Sequence, residues 1–369
     1  MTAGGEAQGN LAVVNNWEGE GGASLRQTLR RLLLGLPGGA GQRLVGLWRG
    51  LRTRWQMRRA SRYDRLQFLR HSGVLGHAAV PGSRSQGVLQ AAIRKTYHRL
   101  EKGLALSEPR PGFGADAVAT LRADLDEYLA RFAPDTVSLE AVNTLTEYLA
   151  FNHGQGLPMP RLTMEVERLR ARHALRHDQG GTRLVERESL WREARLDLRA
   201  FFAARHSIRQ FAPRAVDLDL IRAAVAMAAH SPSVCNRQAG QVYVLDDPVI
   251  RAQALALQNG NRGFGHQAGT ILVVTTRLDC FLTVGERYQP WIDGGLFAMS
   301  LIYALHSLGL GTCCLNWSVE PATDQALKAA TGIPDDQCVI FLLAVGHLPE
   351  RLRVTQSPRR EAGGQLHVL

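Results

Sequence analysis

The sequence predicts an α+β domain, a sandwich of helices and strands, preceded by a helical N-terminal domain and a basic flexible arm. Three observations carry that prediction. Between Tyr63 and about Arg199, apolar residues recur at three- and four-residue spacing, the period of amphipathic helices. From Leu190 onward, short apolar runs alternate with helical segments, one of them long and apolar, as in α+β folds. The charge is also confined to one place. The 369 residues carry a net +11, and Arg26–Arg70 holds 12 Arg and no Lys against the single acid Asp64, so this segment supplies the whole surplus. The expected boundaries are 1–60 for leader and arm, 61–190 for the helical domain and 191–369 for the α+β domain.

Residues 1–24 are Gly-rich and aperiodic, with no basic segment leading into an apolar core. A disordered leader without a secretory signal is expected there. After the breaker Pro37-Gly38-Gly39, residues Leu44, Leu47, Trp48, Leu51 and Trp55 fall on one helical face, flanked by Arg43, Arg49, Arg52 and Arg54. That composition suits peripheral contact of residues 43–59 with a membrane surface, and equally a helix docked on its own domain or left flexible. No recognisable nucleic-acid module accompanies the charge, so no nucleic-acid partner is expected. The longest apolar stretches, Leu296–Leu305 and Val339–Val345, fall far short of the roughly 20 residues a membrane span needs. The expectation is a soluble, cytoplasmic protein, with the inner face of the membrane as the arm's open alternative.

In the helical region, Ser85–Lys102, Asp116–Phe132 and Ser138–Asn152 each show a helical apolar face, with Asp116 and Ser138 as candidate N-caps and Pro134 as a separator. Two phrases stand out: His98-Arg99-Leu100-Glu101-Lys102-Gly103, read as a helix end capped by Gly103, and Arg110-Pro111-Gly112-Phe113-Gly114, read as a turn. Either the first is a solvated helix end or His98, Glu101 and Lys102 face a functional pocket. His173 and His177 lie four apart, but with no Glu between them and no evident third ligand no metal site is expected.

Further on, a helix through Trp191–Ala204 is followed by a helix over Val216–His230, strands at Gln241–Leu245 and Thr270–Thr275, and the long helix Trp291–Leu308. A strand at Thr312–Asn316, a helix over Pro321–Ala330 and the strand Val339–Val345 complete the pattern. Five cysteines, Cys235, Cys280, Cys313, Cys314 and Cys338, show no metal or redox spacing and read as reduced. Cys313 and Cys314 should face opposite sides of their strand. Gly260-Asn261-Arg262-Gly263-Phe264-Gly265 does not follow a strand as a dinucleotide fingerprint must, and reads as a flexible loop.

Arg205-His206-Ser207-Ile208-Arg209 places two guanidiniums, an imidazole and a hydroxyl within five residues. Guanidiniums fork onto phosphate oxygens and a hydroxyl adds another donor, so the stretch is a candidate anion clamp, with a solvated helix end as the alternative. No third residue orients His206 and Ser207 as a nucleophilic pair, which makes hydrolase chemistry a weak competitor. About 25 residues on comes the polar loop Ser231-Pro232-Ser233-Val234-Cys235-Asn236-Arg237-Gln238.

With Arg205, Ser207, Arg209 and Phe211, then Pro232, Ser233, Asn236 and Gln238, then Asp293-Gly294-Gly295, Leu308-Gly309-Leu310-Gly311-Thr312 and Ser357-Pro358-Arg359, the sequence resembles the nitroreductase family of FMN oxidoreductases over roughly residues 195–360. His98–Leu104 and Arg110–Gly114 are similar to phrases of a subgroup with such a helical extension, often associated with surface-polysaccharide gene sets. The resemblance implies a nitroreductase-like α/β sandwich, FMN as cofactor, NAD(P)H as electron donor, a small-molecule acceptor and a homodimer. It implies that Arg205, His206, Ser207 and Arg209 hold the phosphate and ribityl chain, with Arg359 adding a late cation. Pro232, Ser233, Asn236 and Gln238 would line the ring from the partner subunit, and Cys314, Leu315 and Asn316 would run beside it. Many members carry an aromatic residue shortly after the loop where this chain has Ala239-Gly240, which implies a more open pocket. The competing functional reading is a flavin-binding regulatory or scaffold protein acting through its helical extension.

Overall fold

In the computed structural model, the residues described are 40–76, 84–172, 179–184, 197–355 and 365–369. The leader, His173 and His177, and Ser357, Pro358 and Arg359 lie outside them. Two units divide the chain, Met1–Arg65 and Leu66–Leu369. In the first, helix α1 (Ala40–His71) begins just after the Pro37-Gly38-Gly39 breaker and runs on past residue 65 into the second. Leu44, Leu47, Trp48, Leu51 and Trp55 are exposed on it, and Arg52 and Arg59 stack over Trp48 and Trp55.

Among the described residues, the N-terminal part of the second unit is a helical region that includes α2 (Gln86–Leu104), α3 (Ala115–Arg131), α4 (Thr136–Gly154) and α5 (Pro160–Ala171). Leu89, Ile93, Leu100, Leu121, Leu125, Leu145 and Tyr148 share its core, and the spacing of these residues is the reason each segment is helical. Ser85 caps α2, its Oγ accepting from Val88 N. The two expected caps, Asp116 and Ser138, are displaced. Gly114 precedes α3, so Asp116 sits in the first turn, where its carboxylate pairs with Arg99 at 2.7 Å. Asp135 caps α4, and Ser138 is the reciprocal member of a capping box rather than the cap. Gly103 lies inside α2 instead of ending it. A Cβ there would fall 2.0 Å from the Phe113 ring, so glycine lets the 110–114 turn dock on the helix. Tyr148 Oη donates to Phe113 O at 2.7 Å, and Gly112 N donates to Asn152 Oδ1 at 2.6 Å. The two distinctive phrases thus meet each other.

The α+β part is a four-stranded antiparallel sheet with strand order β1-β2-β4-β3: β1 (Gly240–Leu245), β2 (Thr270–Arg277), β3 (Leu310–Asn316) and β4 (Gln337–His347). Alternation along the central strands gives two cores. Leu272, Val274, Leu343 and Val345 meet α7 (Leu218–Ala228) and α9 (Gln289–Ser307) on one face. On the other, Ile271, Val273, Leu342 and Ala344 meet α8 (Pro248–Ala256) and α10 (Pro321–Thr331). Between the helical region and this sandwich, α6 (Leu198–Ala204) stacks Phe201 and Phe202 on Tyr303 and His306 of α9. Asp217 is the cap of α7, accepting from Asp219 N. As expected, Cys313 is buried and Cys314 exposed.

Candidate functional site

The first group of site residues leaves α6 at Arg205. Ser207 forms an isolated parallel bridge with Thr312, and Ile208 N donates to Thr312 O at 2.8 Å, which lays the 205–209 stretch along the outer edge of β3. The charge of Arg205 reaches Cys314, and the Arg209 guanidinium stands 5.9 Å from the centroid of Phe264. Neither Arg205 nor Arg209 has a carboxylate partner among the described residues. Two unpaired guanidiniums beside a hydroxyl and an imidazole form a donor set that fits a phosphate. Further along the same edge, the Cys314 and Asn316 side chains are exposed, while Leu315 is buried in the core and offers the site only its backbone.

The 258–266 loop joins this group and is pinned rather than free. Gln258 Nε2 donates to Asn316 O at 2.9 Å, its Oε1 accepts from Gly260 N at 2.7 Å, and Asn261 Nδ2 donates back to Leu255 O at 2.7 Å. Beside it, a cavity of about 530 Å³ is lined by Arg251, Arg262 and His266 among others. The expectation of a flexible loop rested on the segment's not following a strand as a dinucleotide fingerprint must; the amide side chains of Gln258 and Asn261 take up the turn's backbone groups and fix it.

The second group, Pro232, Ser233, Asn236 and Gln238, sits just before β1. Cys235, Asn236 and Gln238 have φ of 50°, 52° and 53°, a left-handed conformation that costs a non-glycine residue roughly 1–3 kcal/mol, least for Asn. The surroundings over-determine it. Ser233 Oγ accepts from Gln238 N at 3.0 Å, and the buried Asp293 accepts from Val234 N at 3.1 Å and from Gln289 Nε2 at 2.8 Å. Asp293 therefore lies in the second turn of α9 and clamps the loop. Arg237, with no exposed surface, forks onto Glu286 at 2.6 and 3.1 Å and donates to Cys280 O at 2.6 Å. Burial pushes the Glu286 carboxyl up, but Arg237 and the amides of Leu282 and Thr283 outweigh it and hold it below the usual glutamate range. Burial pushes the neighbouring Cys280 thiol up to about 12, which makes it inert as a nucleophile.

A cavity of about 820 Å³ opens beside this loop, between α7 and β1, with Ser231, Pro232, Ser233 and Gln238 at one end and Val225, Val242 and Phe297 along it. A Cβ on Gly240 would lie 2.5 Å from the Phe297 ring, so an aromatic from α9 fills the space beside the glycine.

The two groups stand apart within one chain. They flank β1 and β3, the two edge strands, which three interstrand steps of 4.7–4.9 Å place roughly 14 Å apart. Along the strands, Gly240 is level with Thr276, and Thr312 with Val345 and Thr270, so six residues of β2 at about 3.3 Å add roughly 20 Å. The clamp and the loop thus occupy diagonally opposite corners of the sheet, about 24 Å apart on these spacings. Of the expected site residues, the structure brings Arg205, His206, Ser207, Arg209 and Cys314–Asn316 to one edge and Pro232, Ser233, Asn236 and Gln238 to the other. Arg359 is outside the described residues. Arg353 N donates to Gln210 Oε1 at 2.8 Å, so the C-terminal stretch reaches the clamp's edge at that point.

The model of the nitroreductase family matches residues 202–259 and 248–347. A nitroreductase family protein from Streptococcus pneumoniae TIGR4 superposes with a TM-score of 0.41 at 19% identity, covering 47% of this chain and 100% of that one. NfrA1 nitroreductase from B. subtilis gives 0.40 at 22% identity, covering 46% and 73%. An FMN-dependent nitroreductase from Clostridium difficile R20291 gives 0.37 at 19%, covering 42% and 91%. No curated protein matches the chain.

Proposed function

We propose that the protein is an FMN-dependent oxidoreductase of the nitroreductase type, reduced by NAD(P)H and passing electrons to a small-molecule acceptor, a reading supported by the match of the nitroreductase family model to residues 202–259 and 248–347. The observation that carries the reading is the unpaired Arg205–Arg209 clamp on the β3 edge, paired with a strained, heavily supported polar loop at the opposite corner. FMN, when bound, supplies the hydride chemistry, and the chain's own residues bind and orient it. Arg205 and Arg209 neutralise the phosphate, Ser207 and His206 add donors beside it, and the 232–238 loop presents Ser233, Asn236 and Gln238 as hydrogen-bonding groups.

Because one chain holds the two groups about 24 Å apart on strand spacings, the proposal includes a homodimer in which each site takes its clamp from one subunit and its loop from the other. The outward face of α9 supports such an interface, exposing Trp291, Ile292, Leu296 and Met299 in one stripe. The test is direct. Purified protein should carry, or take up on addition, one FMN per chain by visible absorption, and should migrate as a dimer. Protein that stays colourless in excess FMN refutes the proposal.

A scaffold reading has one observation in its favour: the helical region has its own core, separate from the two cores of the sandwich. A bound flavin that neither NADH nor NADPH reduces would establish it. For the arm, we propose reversible contact with anionic membrane, supported by the exposed Leu44, Leu47, Trp48, Leu51 and Trp55 among arginines. Among the described residues, no helix is long and apolar enough to cross a membrane.

A further inference from the structure

Arg237 stands inside the proposed flavin loop, yet its side chain has no exposed surface and cannot touch a ligand. We propose that the Arg237–Glu286 pair is a positioning device, which carries support from the helical region to the 232–238 loop and fixes the shape that presents Ser233, Asn236 and Gln238. The inference rests on the flavin reading for its ligand, but its structural part stands on three linked sets of contacts.

The first set ties Arg237 to its own loop. Nε donates to Val234 O at 3.1 Å, and the backbone oxygen of Arg237 accepts a long contact from Cys280 Sγ. The guanidinium lies 5.6 Å from the centroid of Phe281, closing the remaining side. Every neighbour of Arg237 at a left-handed φ, Cys235, Asn236 and Gln238, lies within two residues of this anchor.

The second set fixes Glu286. Its Oε2 accepts from Leu282 N at 2.6 Å and Thr283 N at 3.2 Å, and Thr283 completes a capping box with it. The carboxylate is therefore held by the backbone of its own 278–286 segment before Arg237 arrives.

The third set presses that segment from the helical region. Gly73 N donates to Phe281 O at 2.8 Å, and Leu282 is buried against Val88, Ala91 and Ala92 of α2. Phe68, near the end of α1, and Val74, between α1 and α2, share a cluster with Phe281, Ala239 and Val234, so the chain leading into the helical region also reaches the loop directly.

A buried ion pair is a poor device for stability alone, because an apolar pair of like volume often serves as well. Four guanidinium hydrogen bonds, to one carboxylate and two carbonyls, instead specify a single backbone path. The sandwich alone lacks this third set of contacts, which gives the helical extension a role in the flavin site without placing any of its residues in it.

The test compares Arg237→Met and Glu286→Gln with Leu145→Ala, a core truncation in the helical region that serves as a purely destabilising control. Hydrogen–deuterium exchange of residues 231–239 is measured alongside the dissociation constant for FMN, in the full chain. Both pair variants should speed loop exchange and weaken FMN by about tenfold or more, while Leu145→Ala loses melting temperature and changes neither. If Arg237→Met does not fold, Glu286→Gln carries the comparison by itself. Loop exchange equal to that of the unaltered protein in every folded pair variant overturns the proposal. Faster loop exchange in a protein that never binds FMN upholds the positioning device and refutes the flavin reading instead.

Discussion

Placing the clamp and the loop at opposite corners of one sheet makes a strong prediction about mixed dimers. Take a clamp variant, Arg205→Ala with Arg209→Ala, and a loop variant, Asn236→Asp with Gln238→Glu. The loop changes preserve side-chain shape, and Asp, like Asn, tolerates the left-handed φ at position 236. Charge-assisted hydrogen bonds are worth roughly 1.5–3 kcal/mol each, so losing both guanidiniums should weaken FMN by about 10²- to 10⁴-fold. Placing two carboxylates at the ring should weaken it independently. Each homodimer is then defective at both of its sites. A mixed dimer, isolated with two different affinity tags, has one site that collects both defects and one that collects neither. The expected stoichiometry is one tightly bound FMN per mixed dimer, read by quenching of flavin fluorescence at a concentration where neither homodimer binds. If both groups served a site within one chain, mixing would restore nothing. Absence of recovery in mixed dimers shown to be intact would refute the shared-site argument and the strand-spacing geometry behind it.

The single change Arg205→Ala should weaken FMN by about one to two orders of magnitude, with little change in melting temperature measured without flavin, because the side chain pairs with no carboxylate among the described residues. Glu286 sets an acid limit. Its carboxyl is held below its unfolded value, so its contribution is complete above that value and is lost as pH falls through the lower, folded one. Urea melts of the unaltered protein should therefore lose stability on acidification more steeply than those of Glu286→Gln, and parallel slopes would contradict the assignment. For the arm, co-sedimentation with anionic vesicles at low salt should fall sharply at high salt and on removal of residues 1–59. Equal recovery of both forms in the low-salt supernatant would rule out membrane contact.

What could be read from sequence was local. Strand and helix existence followed from apolar period and the clamp from a dense run of donors, and the order of short motifs pointed to the family. The losses came where the deciding contact is distant. Arg237 gave no signal because its partner Glu286 lies 49 residues away, and only the fold shows that the guanidinium is buried against it. Asp293 was visible in its motif, but its bonds to the loop were not. Gly103 read as a helix end because glycine often is one, whereas the Phe113 ring that requires it approaches from the following turn. Two helices, α5 and α8, were missed although Pro160 and Pro248 mark their first turns, and Asp247 caps the second. Strand order is carried by no local pattern at all, and it is the strand order that separates the clamp from the loop.

The most direct test of the central claim is anaerobic mixing of the FMN-loaded protein with NADH and with NADPH, followed through the flavin's visible absorption band. Loss of the band with at least one nucleotide, and its return when an electron acceptor is added, is the predicted result. A stoichiometrically bound flavin that keeps its colour in excess of both nucleotides would contradict the oxidoreductase proposed here.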